Sequence, residues 1–242
     1  RVHLTAHDSA KANRHFVNAV KPYQGQRKGK DKPSLLEPLR QAMADRSNWL
    51  PEFEVFYHRE VEADDGMMHD AYVYKENGVI RSEDKDLRMT PYPYWDIKTG
   101  RLMQGEPVGW LAIDFTPSGT VKCIGQGPVF FWAQMLMGDT ADHIQGILRL
   151  NGSLCGPKGA YDALHPLITS DPACIHTVAN FVISAYRAID QNPISEGFLL
   201  WMQRWPGDSV LQYFSELELT DINRRYIYEC YTRNWFGPAK TA

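Results

Sequence analysis

The sequence lacks the short motifs that identify the common nucleotide-binding and hydrolase classes. It contains no G-x-x-x-x-G-K-[ST] loop, no H-E-x-x-H pair and no G-x-S-x-G elbow. Nothing in it therefore points to a P-loop NTPase, a zinc metalloprotease or an α/β-hydrolase. It also lacks any apolar run near the ~20 residues of a membrane-spanning helix. We therefore expect a soluble protein without a membrane partner.

Cysteine is scarce, with four residues and no C-x-x-C pair. This spacing argues against a zinc ribbon, a redox motif or a haem attachment site. Scattered cysteines in a chain of 242 residues are typical of buried thiols in a reducing compartment, although spacing alone leaves two disulfides open. We expect a cytoplasmic protein that needs no metal or other cofactor.

The overall composition is that of a globular protein, with 43% hydrophobic and 23% charged residues. A chain of this length can bury a core without disulfides or metals. Aromatic residues make up 12% of the chain, and large rigid side chains suit binding surfaces as well as cores.

The net charge of −3 conceals an uneven distribution. Residues 1–32 contain eight Lys or Arg and two Asp, whereas residues 52–86 contain eleven acids and four Lys or Arg. A basic segment followed by an acidic one predicts contact with nucleic acid, with an acidic partner or with another copy of the chain.

The pattern divides the chain into three segments. Residues 21–33 have no apolar periodicity and contain two Pro and two Gly, so residues 1–33 are predicted to be a basic arm and linker. Residues 34–127 are predicted to hold a helix over 35–48 and a sheet. Residues 128–242 are predicted to be helical and to form one compact unit with the sheet.

The fold class predicted is α+β, with an N-terminal antiparallel sheet of about five hairpin-connected strands. Residues 53–62 alternate apolar and polar side chains, residues 70–75 form a second β-rich stretch, and Asn77-Gly78 is a strong hairpin signal. A second hairpin is predicted over residues 109–127. The helices predicted for the C-terminal half cover 130–137, 140–150, 172–189 with Asp171 as its N-cap, 195–204, 208–218 and 221–235.

With no convincing catalytic set, the sequence favours a binding or assembly protein over an enzyme. Its contact surfaces would be the basic arm and the aromatic-rich segment 90–110, and its partner another protein or its own copies. The predicted binding residues are Lys21, Tyr23, Arg27, Lys28, Lys30, Lys32, Tyr92, Tyr94, Trp95 and Trp110.

Two other functions stay open. The first is a metal- or carboxylate-dependent hydrolase centred on His58, Glu60, Glu62 and His69, because histidines and carboxylates two residues apart on a strand can converge on one ion. The second is sequence-independent RNA or DNA binding, with the arm's cations on phosphates and nearby aromatic rings on bases.

Overall fold

The computed structural model describes residues 1–233 and contains both helices and strands. The strands form three separate two-stranded sheets. Strand β1 (Val2–Thr5) pairs in parallel with β2 (Val55–His58). Strand β3 (Tyr94–Asp96) pairs antiparallel with β4 (Arg101–Met103). Strand β5 (Trp110–Phe115) pairs antiparallel with β6 (Val121–Gln126).

The prediction of a five-stranded N-terminal sheet is therefore wrong, and the error lies between residues 59 and 78. Strand β2 ends at His58, and helix α2 (Ala63–Tyr74) occupies the place of the second predicted strand. Its start is a capping box in which Asp65 accepts the backbone N–H of Glu62. Acidic residues in the first turn also suit the positive end of the helix.

The Asn77-Gly78 hairpin is likewise absent. Residues Lys75–Asn77 form a single 3₁₀ turn that ends α2. Gly78 has a φ of −109°, whereas a type I′ hairpin needs a positive φ at both central residues. The chain then runs extended, and Ile80 forms a parallel bridge with Tyr94.

The second predicted hairpin is confirmed. Ile113 lies opposite Cys123 in the β5–β6 ladder, and Gly119 (φ +79°) lies in the turn that joins the strands. The two strands pack against the C-terminal helices, which cover one face of this sheet.

The C-terminal half is mainly helical, as predicted, but residues 140–150 form a loop rather than a helix. Gly138 and Gly146 approach so closely here that a Cβ on Gly146 would lie 2.4 Å from the nitrogen of Gly138. Both have a positive φ, which favours glycine and breaks the helical path. Of the helix predicted over 221–235, the last two residues lie outside the described chain. The helices are α1 (Leu36–Ala44), α3 (Pro128–Met137), α4 (Pro157–Ile168), α5 (Ile175–Ala188), α6 (Pro193–Leu200), α7 (Val210–Glu216) and α8 (Asp221–Thr232).

Helix α3 lies at the centre of the core. Trp132 on α3 and Tyr186 on α5 are completely buried, and the Tyr186 hydroxyl donates to the carbonyl of Met135. The buried apolar residues form a single cluster that extends from Val17 to Cys230. Among the described residues, no helix is long and apolar enough to cross a membrane.

Candidate functional site

An acidic pocket forms where three distant parts of the chain meet. The start of α2, the segment after residue 82 and the loop that follows α3 each contribute carboxylates. The seven carboxylates that line it belong to Glu62, Asp64, Asp65, Asp84, Asp86, Asp139 and Asp142.

The loop after α3 is held in a fixed shape. Gly138 ends the helix, and the backbone of Asp139 exchanges hydrogen bonds with that of Ile144 at 2.9 and 2.7 Å. The Asp139 side chain, only 3% exposed, accepts the backbone N–H of Ala141 through Oδ1. Its Oδ2 atom accepts a hydrogen bond from Lys85 Nζ.

Three of the carboxylates lie close enough together to share one metal ion. Asp86, Asp139 and Asp142 each offer one oxygen, and these oxygens lie within 4.8 Å of one another. Carboxylate oxygens are the ligands that hard divalent cations such as Mg²⁺, Mn²⁺ and Ca²⁺ prefer. The ammonium of Lys85 lies 2.7 Å from Asp86 Oδ1 and 2.8 Å from Asp139 Oδ2.

Two of the acids have a strongly raised pKa, mainly because they are buried. Burial and the nearby carboxylates of Asp84 and Glu62 raise the pKa of Asp64 to about 7. Burial raises the pKa of Asp86 to about 6, against the opposing effect of Lys85. Within the described part of the chain, the Asp64 carboxylate makes no hydrogen bond or ion pair, so it lines the pocket without a neutralising partner. A cation in the pocket would favour the ionised form of both groups.

A buried amide on α3 supports one of these carboxylates. Gln134 on α3 is completely inaccessible, and its Nε2 donates to Asp86 Oδ1 at 2.5 Å. Its Oε1 has no hydrogen-bond partner among residues 1–233. The unpaired oxygen is an unsatisfied buried polar atom, and it is Nε2 of Gln134, not Oε1, that contacts Asp86.

One wall of the pocket is a buried ion pair. Arg14 is 4% exposed and donates to both oxygens of Asp65, at 2.9 and 2.7 Å. It also donates to Glu62 and to the carbonyl of Trp201. Although burial alone would raise it, Arg14 holds the pKa of Asp65 below its usual range. Asp65 is therefore committed to the fold rather than available to a ligand.

The basic arm passes along the rim of this pocket. The buried Tyr23 hydroxyl donates to Glu62 Oε2 at 2.8 Å, and Arg27 donates to Asp142 Oδ1 at 2.9 Å. Lys21 is half-buried. The other three predicted cations, which are fully exposed, are Lys28, Lys30 and Lys32.

The predicted aromatic residues do not form one exposed surface. Tyr94 is buried in the core, and Tyr92 packs edge-on against Tyr72. Trp110 is half-buried and donates to the side chain of Gln126, while Trp95 is 37% exposed.

The two histidines of the predicted hydrolase centre stay near each other, since burial and the neighbouring His58 both lower the pKa of His69, but the two glutamates lie elsewhere. Glu62 lines the acidic pocket, but Glu60 is exposed away from it. His58 Nε2 lies 2.9 Å from Nδ1 of His3, whose Nε2 lies 3.1 Å from Asp70. Glu62 lies apart from His58 because β2 ends at His58 and Glu62 caps helix α2 instead of extending the strand.

His3 and Asp70 also line a larger cleft of about 450 Å³ beside Arg81. Burial lowers the pKa of both His3 and His58. Their neutral rings share one hydrogen bond, and this cleft holds no group of three metal-ligating side chains within the described residues.

The sequence-based prediction did not include four aspartates of the pocket, nor Lys85 and Gln134. Two short acidic motifs could have indicated these aspartates. Asp84-Lys85-Asp86 ends an extended segment, and Asp139 and Asp142 follow Gly138 directly after the apolar run of α3. The missed aspartates are Asp84, Asp86, Asp139 and Asp142.

No protein-family model matches the chain, and no curated protein matches it. The geometry and charge of the acidic pocket are therefore the guide to its function.

Proposed function

We propose that the chain is a divalent-metal-dependent phosphodiester hydrolase that acts on nucleic acid, with the acidic pocket as its metal centre. The observation that carries this proposal is the group formed by Asp86, Asp139 and Asp142, whose oxygens lie within 4.8 Å of one another. The buried amide of Gln134, whose Nε2 donates to Asp86, would hold that carboxylate in place.

The residues divide into ligands and supports. Asp86, Asp139 and Asp142 would hold a cation directly, and Asp64 and Asp84 line the same pocket. Glu62 is tied to Lys11, Arg14 and Tyr23, so it acts as part of the wall. A divalent cation supplies an activated water and neutralises charge that develops on a phosphoryl oxygen.

The basic arm supports a polyanionic substrate. It is anchored to the pocket by Arg27 on Asp142 and by Tyr23 on Glu62. Beyond these anchors, no ion pair holds Lys28, Lys30 or Lys32 within residues 1–233. Exposed cations next to a metal centre can bind the phosphates on either side of the one that reacts.

Cleavage of labelled DNA and RNA oligonucleotides tests the proposal. We expect cleavage in Mg²⁺ or Mn²⁺ and none in EDTA, and Asp139→Asn should reduce the rate by at least about 100-fold. Glu60→Gln is the matched control, because Glu60 is exposed and outside the pocket. Equal rates for Asp139→Asn and the wild type would refute the proposed centre.

Self-association through the arm stays a prediction. Opposite charges on residues 1–32 and 52–86 would let one copy bind the next, and exposed ion pairs are screened over about 10 Å at 0.1 M salt. Light scattering after size-exclusion chromatography should then show an oligomer that dissociates at about 0.5 M salt. An unchanged mass would exclude that mechanism.

A further inference from the structure

We propose that the cleft of about 450 Å³ beside His3 and Arg81 binds an extended peptide segment of a partner protein, which adds to the fold as a β-strand. The cleft is separate from the acidic pocket, with which it shares no lining residue. Two unpaired strand edges form its walls, and helix α2 forms its floor.

One wall of the cleft is the free edge of β1. In the parallel ladder with β2, the N–H of Val2 donates to the carbonyl of Glu54. Because the direction of hydrogen bonding alternates along a strand, the N–H and C=O of His3 point to the opposite edge. Within residues 1–233 these two groups have no hydrogen-bond partner, and His3 lines the cleft. An unpaired edge of this kind is ready to bind another strand.

The opposite wall is the free edge of the short extended segment that pairs with β3. The N–H of Ile80 donates to the carbonyl of Pro93 at 3.2 Å, and its C=O accepts the N–H of Trp95 at 2.7 Å. The backbone groups of Val79 and Arg81 therefore point away from β3. They make no backbone hydrogen bond within the described chain, and both residues line the cleft.

Helix α2 forms an apolar floor between these two edges. Met67, Ala71 and Tyr74 are spaced three or four residues apart, so they share one face of the helix, and all three line the cleft. The remaining residue of this face, Asp70, is already paired with Arg1 at 2.7 Å. Tyr74 is 40% exposed, so the fold covers this apolar surface only in part.

An extended peptide matches both walls and the floor. A strand has donors and acceptors on both edges, so it can pair with His3 on one side and with Val79 and Arg81 on the other. Its side chains alternate between two faces, so apolar residues at every second position would contact α2 while the others face solvent. The peptide would then be the missing strand between β1 and the segment that pairs with β3.

The charge of Arg81 favours an acidic residue in the peptide. Arg81 is exposed and forms no ion pair within residues 1–233, whereas Arg1 is paired with two carboxylates. Because its neighbour Ile80 is buried, Arg81 points to the other face of the strand, where the peptide presents its polar residues. Opposite charges on adjacent strands attract each other. The cleft's unpaired acid, Glu52, precedes β2 and belongs to the other wall.

The test uses a fluorescent octapeptide, capped at both ends, in which valine alternates with threonine and one central threonine is replaced by glutamate. Fluorescence polarisation measures its affinity for the wild type and for two variants of the full chain. Val79→Pro removes an N–H that makes no hydrogen bond in the fold, and Gly78 already has the extended backbone (φ −109°, ψ 155°) that suits a residue before proline. Val79→Ala is the matched control, because it keeps the N–H.

We expect the wild type and Val79→Ala to bind the peptide nearly equally. Val79→Pro should bind it about tenfold more weakly, because a main-chain hydrogen bond is lost and the proline ring blocks the edge. A peptide N-methylated at each valine keeps its side chains but loses about half of its N–H donors, and should bind the wild type at least about tenfold more weakly. Lysine in place of the glutamate should weaken binding about threefold. Circular dichroism and thermal melting verify that each variant is folded.

Three results would overturn the proposal. The first is the absence of binding to the wild type at peptide concentrations up to about 1 mM. The second is equal affinity for the N-methylated peptide, or equal affinity of Val79→Pro and Val79→Ala, since either excludes pairing through the backbone. The third is a wild-type dimer, measured by light scattering, that dissociates in Val79→Pro and not in Val79→Ala, which would assign the cleft to a second copy of the chain.

Discussion

Replacement of Arg14 by methionine should destabilise the protein more than most single substitutions. The guanidinium is buried, donates twice to Asp65, and links α2 to the Trp201 carbonyl. Methionine fills a similar volume but leaves Asp65 as a carboxylate that is 1% exposed and without a cation. Breaking one side of a buried ion pair costs about 3–5 kcal/mol. Typical domains have a total stability of about 5–15 kcal/mol, so the loss would be a large fraction of it.

Urea unfolding followed by circular dichroism measures this loss. The free energy of unfolding of Arg14→Met should fall by about 3–5 kcal/mol with little change in the slope against urea. Asp65→Asn removes the unpaired buried charge but retains an oxygen that can accept the N–H of Gln203. The double variant should therefore recover at least about 2 kcal/mol relative to the sum of the single effects.

Two results would refute this reasoning. A loss below about 1 kcal/mol for Arg14→Met would place the pair among exposed ion pairs, whose contribution is that small. Additive effects in the double variant would show that Arg14 and Asp65 do not depend on each other for stability.

Three further predictions concern the pocket and its rim. Because the pKa of Asp64 is raised to about 7, the folded state holds an extra proton between about pH 4 and 7, and stability falls as pH rises through this window. Asp64→Asn should therefore raise the free energy of unfolding in EDTA at pH 8 but not at pH 4, and an equal effect at both would contradict the shift. Gln134→Leu should weaken Mn²⁺ binding about 10- to 100-fold, because Asp86 loses the donor that orients it; calorimetry measures this, and unchanged affinity would rule out the orienting role. Alanine at all three exposed lysines of the arm should reduce the salt dependence of oligonucleotide binding, lowering the slope of log K against log salt by about 2–3; an unchanged slope would exclude the arm from phosphate contact. These lysines are Lys28, Lys30 and Lys32.

The parts of the fold that the sequence predicted correctly depend on local patterns. Strands β5 and β6 alternate on either side of a Pro-Ser-Gly turn, and α3 is apolar except for Gln134. Helix α2 was missed although its start carries a local signal, the capping box between Glu62 and Asp65. The alternating polarity of residues 53–62 favoured a strand that continues through this cap.

The candidate site was predicted only in part, because its members come from distant parts of the chain. The acidic stretch 52–86 drew attention to Glu62, and the arm drew attention to Tyr23 and Arg27. Asp139 and Asp142 lie more than fifty residues beyond that stretch, and packing of α3 against the segment around Leu87 brings them to Asp86. A sequence pattern does not show which distant residues meet in the fold, so the candidate ligands are recognised only in the structure.

The size of the pocket decides between a metal ion and an organic ligand. Its volume is about 40 Å³, which holds about three water-sized particles, whereas sites for organic ligands usually enclose about 300–1,000 Å³. Seven carboxylates line this small space. Burial first, and neighbouring carboxylates second, raise the pKa of Asp64, and burial raises that of Asp86 against the effect of Lys85, so ionising these two groups costs stability. The proposed divalent cation would fit the volume and would favour the ionised form of both groups.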